Sequence, residues 1–439
     1  MKRVLVALFV AFVLMLNTAS AADRMQTLKI YNWADYIDEE VLIDFQEWYK
    51  EQTGEDIEVI YQLFDINEIM LAKIERGHED FDVVCPSEYI IERMLRKDLL
   101  LPIDRDFGDT PNYIESNISP YIIDRFNQID GSGKNANDYA VGYMWGTTGI
   151  LYNTKYVTRE EASTWATLTN TKFDKKIFIK DAFRDVYGPI LMYLRQEELL
   201  RGDLTRDQLM YDASDESIKL VEGFLKEAKK LVAGWEADFG KEMMTKEKAV
   251  INLTWSGDAV WAIEEAAEVD VELDYVVPNE GSNVWFDGWV IPKYAKNIKA
   301  ARYFINFMCR SDIALRNMDA TGYVSVIGTQ EVLEEQIEEE GDTVDASYFF
   351  GEDAKSVRLN PVMYADASVI ARCTMMHDSG DRTQQMLDMW SRVKGDNVSI
   401  WILAVIFATF GALLVVGVRR KVKLYKKRKR MNVRRVVLR

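Results

Sequence analysis

From Leu28 to Lys97 short apolar strands alternate with amphipathic helices, and strands run out into polar and aromatic residues. Leu28–Trp33 reads as a strand. In Asp38–Gln52, Val41, Leu42, Phe45, Trp48 and Tyr49 fall on one helical stripe, and Gly54 follows where a C-terminal cap belongs. Ile57–Tyr61 alternates as a strand, Asn67–Arg76 reads as a helix stopping at Gly77, and Phe81–Cys85 as a third strand. Ser87 then holds the N-cap position of a helix through Lys97. Such alternation predicts a parallel α/β layer with functional groups beyond the C-terminal ends of its strands. Trp33, Tyr36, Ser87, Glu88 and Tyr89 all lie at such ends.

Two later stretches read as connections between lobes. Tyr139–Tyr152 contains Trp145-Gly146-Thr147-Thr148-Gly149, a Trp flanked by glycines in a strand able to bend. Val271–Pro292 is the second, and its end, Asn283–Pro292, carries Trp285-Phe286-Asp287. In an extended chain Trp285 and Asp287 face one way and Phe286 the other. An indole beside a carboxylate matches an organic ammonium, through cation–π attraction and a charge-assisted hydrogen bond. Taken alone, the stretch fits an edge strand with a packed Trp and a solvated Asp better still. Two crossings predict two lobes, 27–141 with 288–325 and 142–287 with 326–397, and a cleft between them.

Within the second lobe, a strand at Ile177–Ile179 leads through Lys180–Asp185 into a helix. Asp181 and Asp185 there suit either the helix N-terminus or a ligand. Trp255 follows a strand at Lys248–Asn252, ahead of a Gly turn, and Tyr323 ends the loop Asp319–Tyr323. Ser214–Leu231, Ile298–Arg310 and Arg382–Lys394 read as helices.

The ends carry addressing signals. Met1–Ala22 has Lys2 and Arg3, an apolar run from Val4 to Leu16 and Ala19-Ser20-Ala21, the pattern of a secretory signal. Val398–Val418 is 21 residues without a charge, enough to cross about 30 Å of hydrocarbon. The basic tail 419–439 follows, so this helix should be a membrane span with a cytoplasmic C-terminus. With the 14 basic residues of the two ends set aside, 40 bases face 71 acids, a net of -31. That field repels nucleic acid and favours cations. Cys85, Cys309 and Cys373 allow at most one internal disulfide and match no metal or redox motif. Two histidines besides are too few for a familiar zinc or His-based catalytic site, and no catalytic, cofactor or metal residue is expected.

Seven stretches, in order, resemble the spermidine/putrescine-binding proteins, the extracytoplasmic solute receptors of polyamine ABC importers. They are Tyr31–Ile37, Phe81–Ser87, Trp145–Gly149, Asp181–Asp185, Trp255–Gly257, Trp285–Asp287 and Thr321–Tyr323, spread over about residues 28–395. The resemblance implies a two-lobed α/β periplasmic binding protein of type II, here with an added C-terminal membrane helix. It implies a polyamine ligand, an ABC permease with its ATPase as partners, a monomeric receptor part and no enzymatic activity. Carried over by motif, the ligand residues are Trp33, Tyr36, Ser87, Tyr89, Asp185, Trp255, Trp285, Asp287 and Tyr323. Asp35, Glu88 and Asp181 form a second tier. Asp185 stands where the family often has Glu, Ala34 replaces a hydroxyl residue, and Glu88 replaces a small hydroxyl residue and should add a carboxylate to the cleft rim. Other readings are a receptor for another organic amine uncoupled from transport, and a glycan-active enzyme pairing Asp181 with Asp185.

Overall fold

The expected strand–helix order is present from the first residues of the computed structural model, which describes residues 24–395 apart from Asp238. The expected signal (1–22), membrane helix (398–418) and basic tail (419–439) lie outside the described residues. Among the described residues no helix is long and apolar enough to cross a membrane. Of the described residues, those up to Met386 form one compact unit and those from Leu387 belong to a second.

Twelve strands are described. In chain order they are β1 (Thr27–Trp33), β2 (Glu58–Phe64), β3 (Val83–Val84), β4 (Leu100–Leu101), β5 (Ala140–Asn153) and β6 (Ile177–Lys180). They continue with β7 (Val232–Glu236), β8 (Ile251–Trp255), β9 (Leu273–Val276), β10 (Ser282–Pro292), β11 (Val324–Ser325) and β12 (Cys373–Thr374). The main path runs β2-β1-β3-β10-β5-β8-β6-β7. β2, β1 and β3 are parallel, as are β8, β6 and β7. The antiparallel pair β10 and β5 joins the two parallel sets. Both expected crossings are therefore strands, the second narrower than expected because 277–281 forms a turn between β9 and β10.

Every residue of β5 and β10 is buried. The edge-strand reading of 283–292 fails for that reason: β10 runs inside the sheet between β3 and β5. Its side chains alternate as expected. Phe286 is 0% exposed and packs on Trp145 at 6.3 Å and on Tyr121 at 6.0 Å. Trp285 and Asp287 turn the other way, toward Tyr323 and Tyr36. Gly146 makes room for this, since a Cβ there would come within 2.6 Å of the Trp285 ring. Phe286→Leu should leave a gap behind the strand and lower stability by about 1–2 kcal/mol, read as a shifted midpoint in chemical denaturation.

Helix Glu40–Thr53 buries the expected stripe and ends on Gly54, whose φ of 73° lets its N–H reach Lys50 O. Phe45 meets Phe304 and Phe307 of the helix Ile298–Met308 edge-on or tilted. The third helix is Glu88–Arg96, but the Ser87 side chain does not cap it. β8 starts later than expected because Lys248 and Ala249 give their N–H groups to Met243 O, closing the preceding helix. Trp255 is consequently the last residue of the strand. Residues 327–349 pack on the helix Pro120–Asn127, through the bridge Ile118–Ile327, the Ser119 hydroxyl on Phe349 O and Tyr348 on Tyr121. All three cysteines are free thiols.

Candidate functional site

The turn Pro86–Glu88, which follows β3, fixes the site by gripping β10 on both sides of Asp287. Pro86 O accepts the Gly288 N–H at 3.0 Å, and Glu88 Oε2 accepts the Phe286 N–H at 3.1 Å. Ser87 and Asp287 form a bridge between the two segments. The register of β10 shifts right after Asp287, which leaves its carboxylate directed at the Tyr36 hydroxyl, 2.9 Å from Oδ2. Asp287 is only 6% exposed, and its Oδ1 is buried without a hydrogen-bond partner among the described residues. Burial pushes its carboxyl up to about 7, against the pull of Ser87 and Tyr36 and helped by the charge of Asp185.

Asp185 sits in the first turn of the helix Phe183–Leu194. Its Oδ1 accepts from the Trp255 indole at 3.1 Å, Asn283 Nδ2 at 3.0 Å and Thr148 Oγ1 at 3.4 Å. These donors are neutral, and burial still raises the carboxyl above the ordinary range. β10 thus reaches both acids: it carries Asp287 and donates to Asp185 through Asn283. Neither acid is in an ion pair among the described residues.

The rings of Tyr36, Tyr323 and Trp285 meet beside Asp287. Tyr323 stands edge-on to Tyr36 at 5.1 Å and to Trp285 at 5.5 Å. Trp33 leans on Phe64 at 4.5 Å. Trp33 and Trp255 are half-buried at the ends of their strands. The indole N–H groups of Trp33 and Trp285 are buried without an acceptor among the described residues. Asn67 Nδ2 donates to Ser87 Oγ and to Tyr89 Oη, both at 2.9 Å. The guanidinium of Arg184 covers the Tyr89 ring at 4.4 Å. Buried acids paired only with neutral donors, beside aromatic faces, suit a cation with an apolar body.

The second-tier residues lie elsewhere. Asp35 is exposed in a left-handed turn, φ 50°. Asp181 is exposed while Asp185 is buried, so the two do not form a matched acid–base pair. Glu88 is not on a cleft rim. It is 0% exposed, because its second oxygen accepts the Met376 N–H at 3.2 Å while the first holds Phe286. Sequence reasoning missed Asn283, Thr148, Asn67, Arg184, Lys180 and Asp258. Asn283 was the most accessible of these, since it lies two residues before Trp285 on the same face of the strand. Among the described residues no cluster of three metal-ligating side chains occurs.

The family model for bacterial extracellular solute-binding proteins matches residues 46–340. The chain is 30% identical over 310 residues to the spermidine/putrescine-binding periplasmic protein of Escherichia coli (strain K12), covering 70% of this chain and 79% of that protein. Its fold is similar to that of a spermidine/putrescine ABC transporter protein from Listeria monocytogenes, with a TM-score of 0.67, 29% identity, and coverage of 84% and 99%. The spermidine/putrescine substrate-binding protein PotD from Streptococcus pneumoniae is similar at a TM-score of 0.61 and 30% identity, with coverage of 84% and 98%.

Proposed function

Because the chain belongs to the bacterial extracellular solute-binding proteins, we propose that it is the polyamine-binding receptor of an ABC importer. Receptors of this family bind solutes without transforming them. The observation that carries the reading is Asp287, a buried carboxylate with one oxygen unpartnered among the described residues and no ion pair. Leaving such a group uncompensated costs several kcal/mol, so the site is built for a cation that arrives with the ligand.

In this reading Asp185 and Asp287 take the ammonium groups. Trp33, Tyr36, Trp255, Trp285 and Tyr323 enclose the methylenes, and Ser87 and Tyr89 border the site. Residues 27–141 with 288–325, and 142–287, are the moving halves, with β5 and β10 as the hinge strands. Residues 327–349, expected with the second half, go with the first because they pack on Pro120–Asn127. Residues 1–22 direct export, 398–418 span the membrane, and the tail 419–439 stays in the cytoplasm. The single helix holds the receptor on the extracytoplasmic side, close to its permease and ATPase.

Thermal unfolding tests the ligand class. Putrescine or spermidine should raise the melting temperature, with stabilisation of about 2–3 kcal/mol at a hundred times Kd. Neutral sugars should leave it unmoved. Stabilisation by sugars and not by polyamines would overturn the proposal.

A further inference from the structure

Lys180, the last residue of β6, is 1% exposed, and its ammonium occupies a box made of the same parts as a ligand subsite. Nζ donates to Asp258 Oδ2 and to Ala237 O, both at 2.6 Å, and lies 3.4 Å from Glu236 Oε1. It also sits 4.3 Å from the centre of the Trp255 ring. A carboxylate on one side and an indole face on the other is the chemistry a ligand ammonium needs.

This box adjoins the ligand site through two residues. Trp255 gives its indole N–H to Asp185. Tyr323, whose ring meets Tyr36 and Trp285, gives its hydroxyl to Asp258 Oδ1 at 3.0 Å. The acids differ in what balances them. Burial of Asp258 is outweighed by the charges of Lys180 and Lys241, which hold its carboxyl below the usual range. Among the described residues Asp185 and Asp287 have no such neighbour, and they are shifted upward by burial. Glu88 is committed to the two backbone N–H groups of Phe286 and Met376. Of these acids Asp185 and Asp287 are left for the ligand, and the acid–indole box of Asp258 and Trp255 is filled from within.

We propose that Lys180 is a built-in ammonium filling a third cation subsite, so that the site takes a diamine in preference to a triamine. This rests on the polyamine reading above. Replacing Lys180 should open the box to the third nitrogen of spermidine.

Calorimetric titration of the full-length protein with putrescine and with spermidine tests it, using wild type, Lys180→Met, Lys180→Gln and the double variant Lys180→Met/Asp258→Asn. Wild type should bind putrescine at least about tenfold more tightly than spermidine, a difference of about 1.4 kcal/mol. Lys180→Met and Lys180→Gln should move that ratio toward spermidine by about tenfold. The double variant, which also lacks Asp258 and keeps Glu236 as the remaining carboxylate of the box, should show a smaller gain than Lys180→Met alone. An unchanged ratio in a folded Lys180 variant, or a wild type that prefers spermidine, overturns the proposal and leaves the polyamine reading standing. If the Lys180 variants do not melt cooperatively, the wild-type preference decides alone. Absence of binding by either amine to wild type overturns the polyamine reading itself.

Discussion

Asp287→Asn should weaken putrescine binding by about a hundredfold or more, because truncating one partner of a buried charge pair costs about 2–5 kcal/mol. The substitution keeps the shape of the side chain and an oxygen for the Tyr36 hydroxyl, which now donates to Oδ2 at 2.9 Å. What it removes is the charge. The unliganded protein should tolerate this well, since the carboxylate is buried outside any ion pair and its Oδ1 has no partner among the described residues. At neutral pH and above, the ligand-free variant should melt no lower than wild type. Phe286→Leu is the contrasting neighbour: it faces Trp145 and Tyr121, so it should lose stability and much less affinity. Equal affinity losses from the two variants would refute the facing of β10.

The second large effect is on pH. Asp287 carries a carboxyl raised to about 7 in the unliganded fold, whereas an unfolded Asp titrates near about 4. Between those values the native state holds a proton that the unfolded state has released. Stability of the free protein from this group is therefore fully present at the acid end and is lost as pH rises through the folded value. Ligand binding has the opposite sign, because an ammonium pairs with the carboxylate and not with the acid. Affinity for putrescine should be flat between about pH 8 and about pH 9, below the range near about 10 where its ammonium groups lose their protons, and fall by about tenfold per pH unit below about pH 6. The groups facing Asp287 include Tyr36, Ser87, Asp185, Cys85 and Glu88. Asp185 is raised as well, so the acid limb steepens if both lose their charge. Asp287→Asn should flatten the profile, which titrations across buffers of different pH would read.

The parts of the fold visible in the sequence are those set by local periodicity. The stripe on Glu40–Thr53, the Gly54 cap and the alternation of Trp285, Phe286 and Asp287 need only their own neighbours to be read. Trp33, Trp255 and the Ser87–Tyr89 turn could be placed for the same reason, at the ends of strands. Glu88 could not. A carboxylate in the first helical turn looks solvated, yet its two partners are Phe286 and Met376, 198 and 288 residues away. The Lys180 box was hidden likewise, since a charged residue ending a strand gives no sign of an acid 78 positions later. Asp181 and Asp185 looked alike in sequence. Only the packing of Thr148, Asn283 and Trp255 around the second one tells them apart.

The central claim is that two buried acids wait for two ammonium groups on one apolar chain. Calorimetric titration with putrescine, butylamine and 1,4-butanediol tests this most directly, because the three differ chiefly in the number of charges they carry. Putrescine should saturate the protein at one molecule per chain, butylamine should bind about a hundredfold more weakly, and the diol should give no binding heat. Diol binding as tight as that of the diamine would contradict the account.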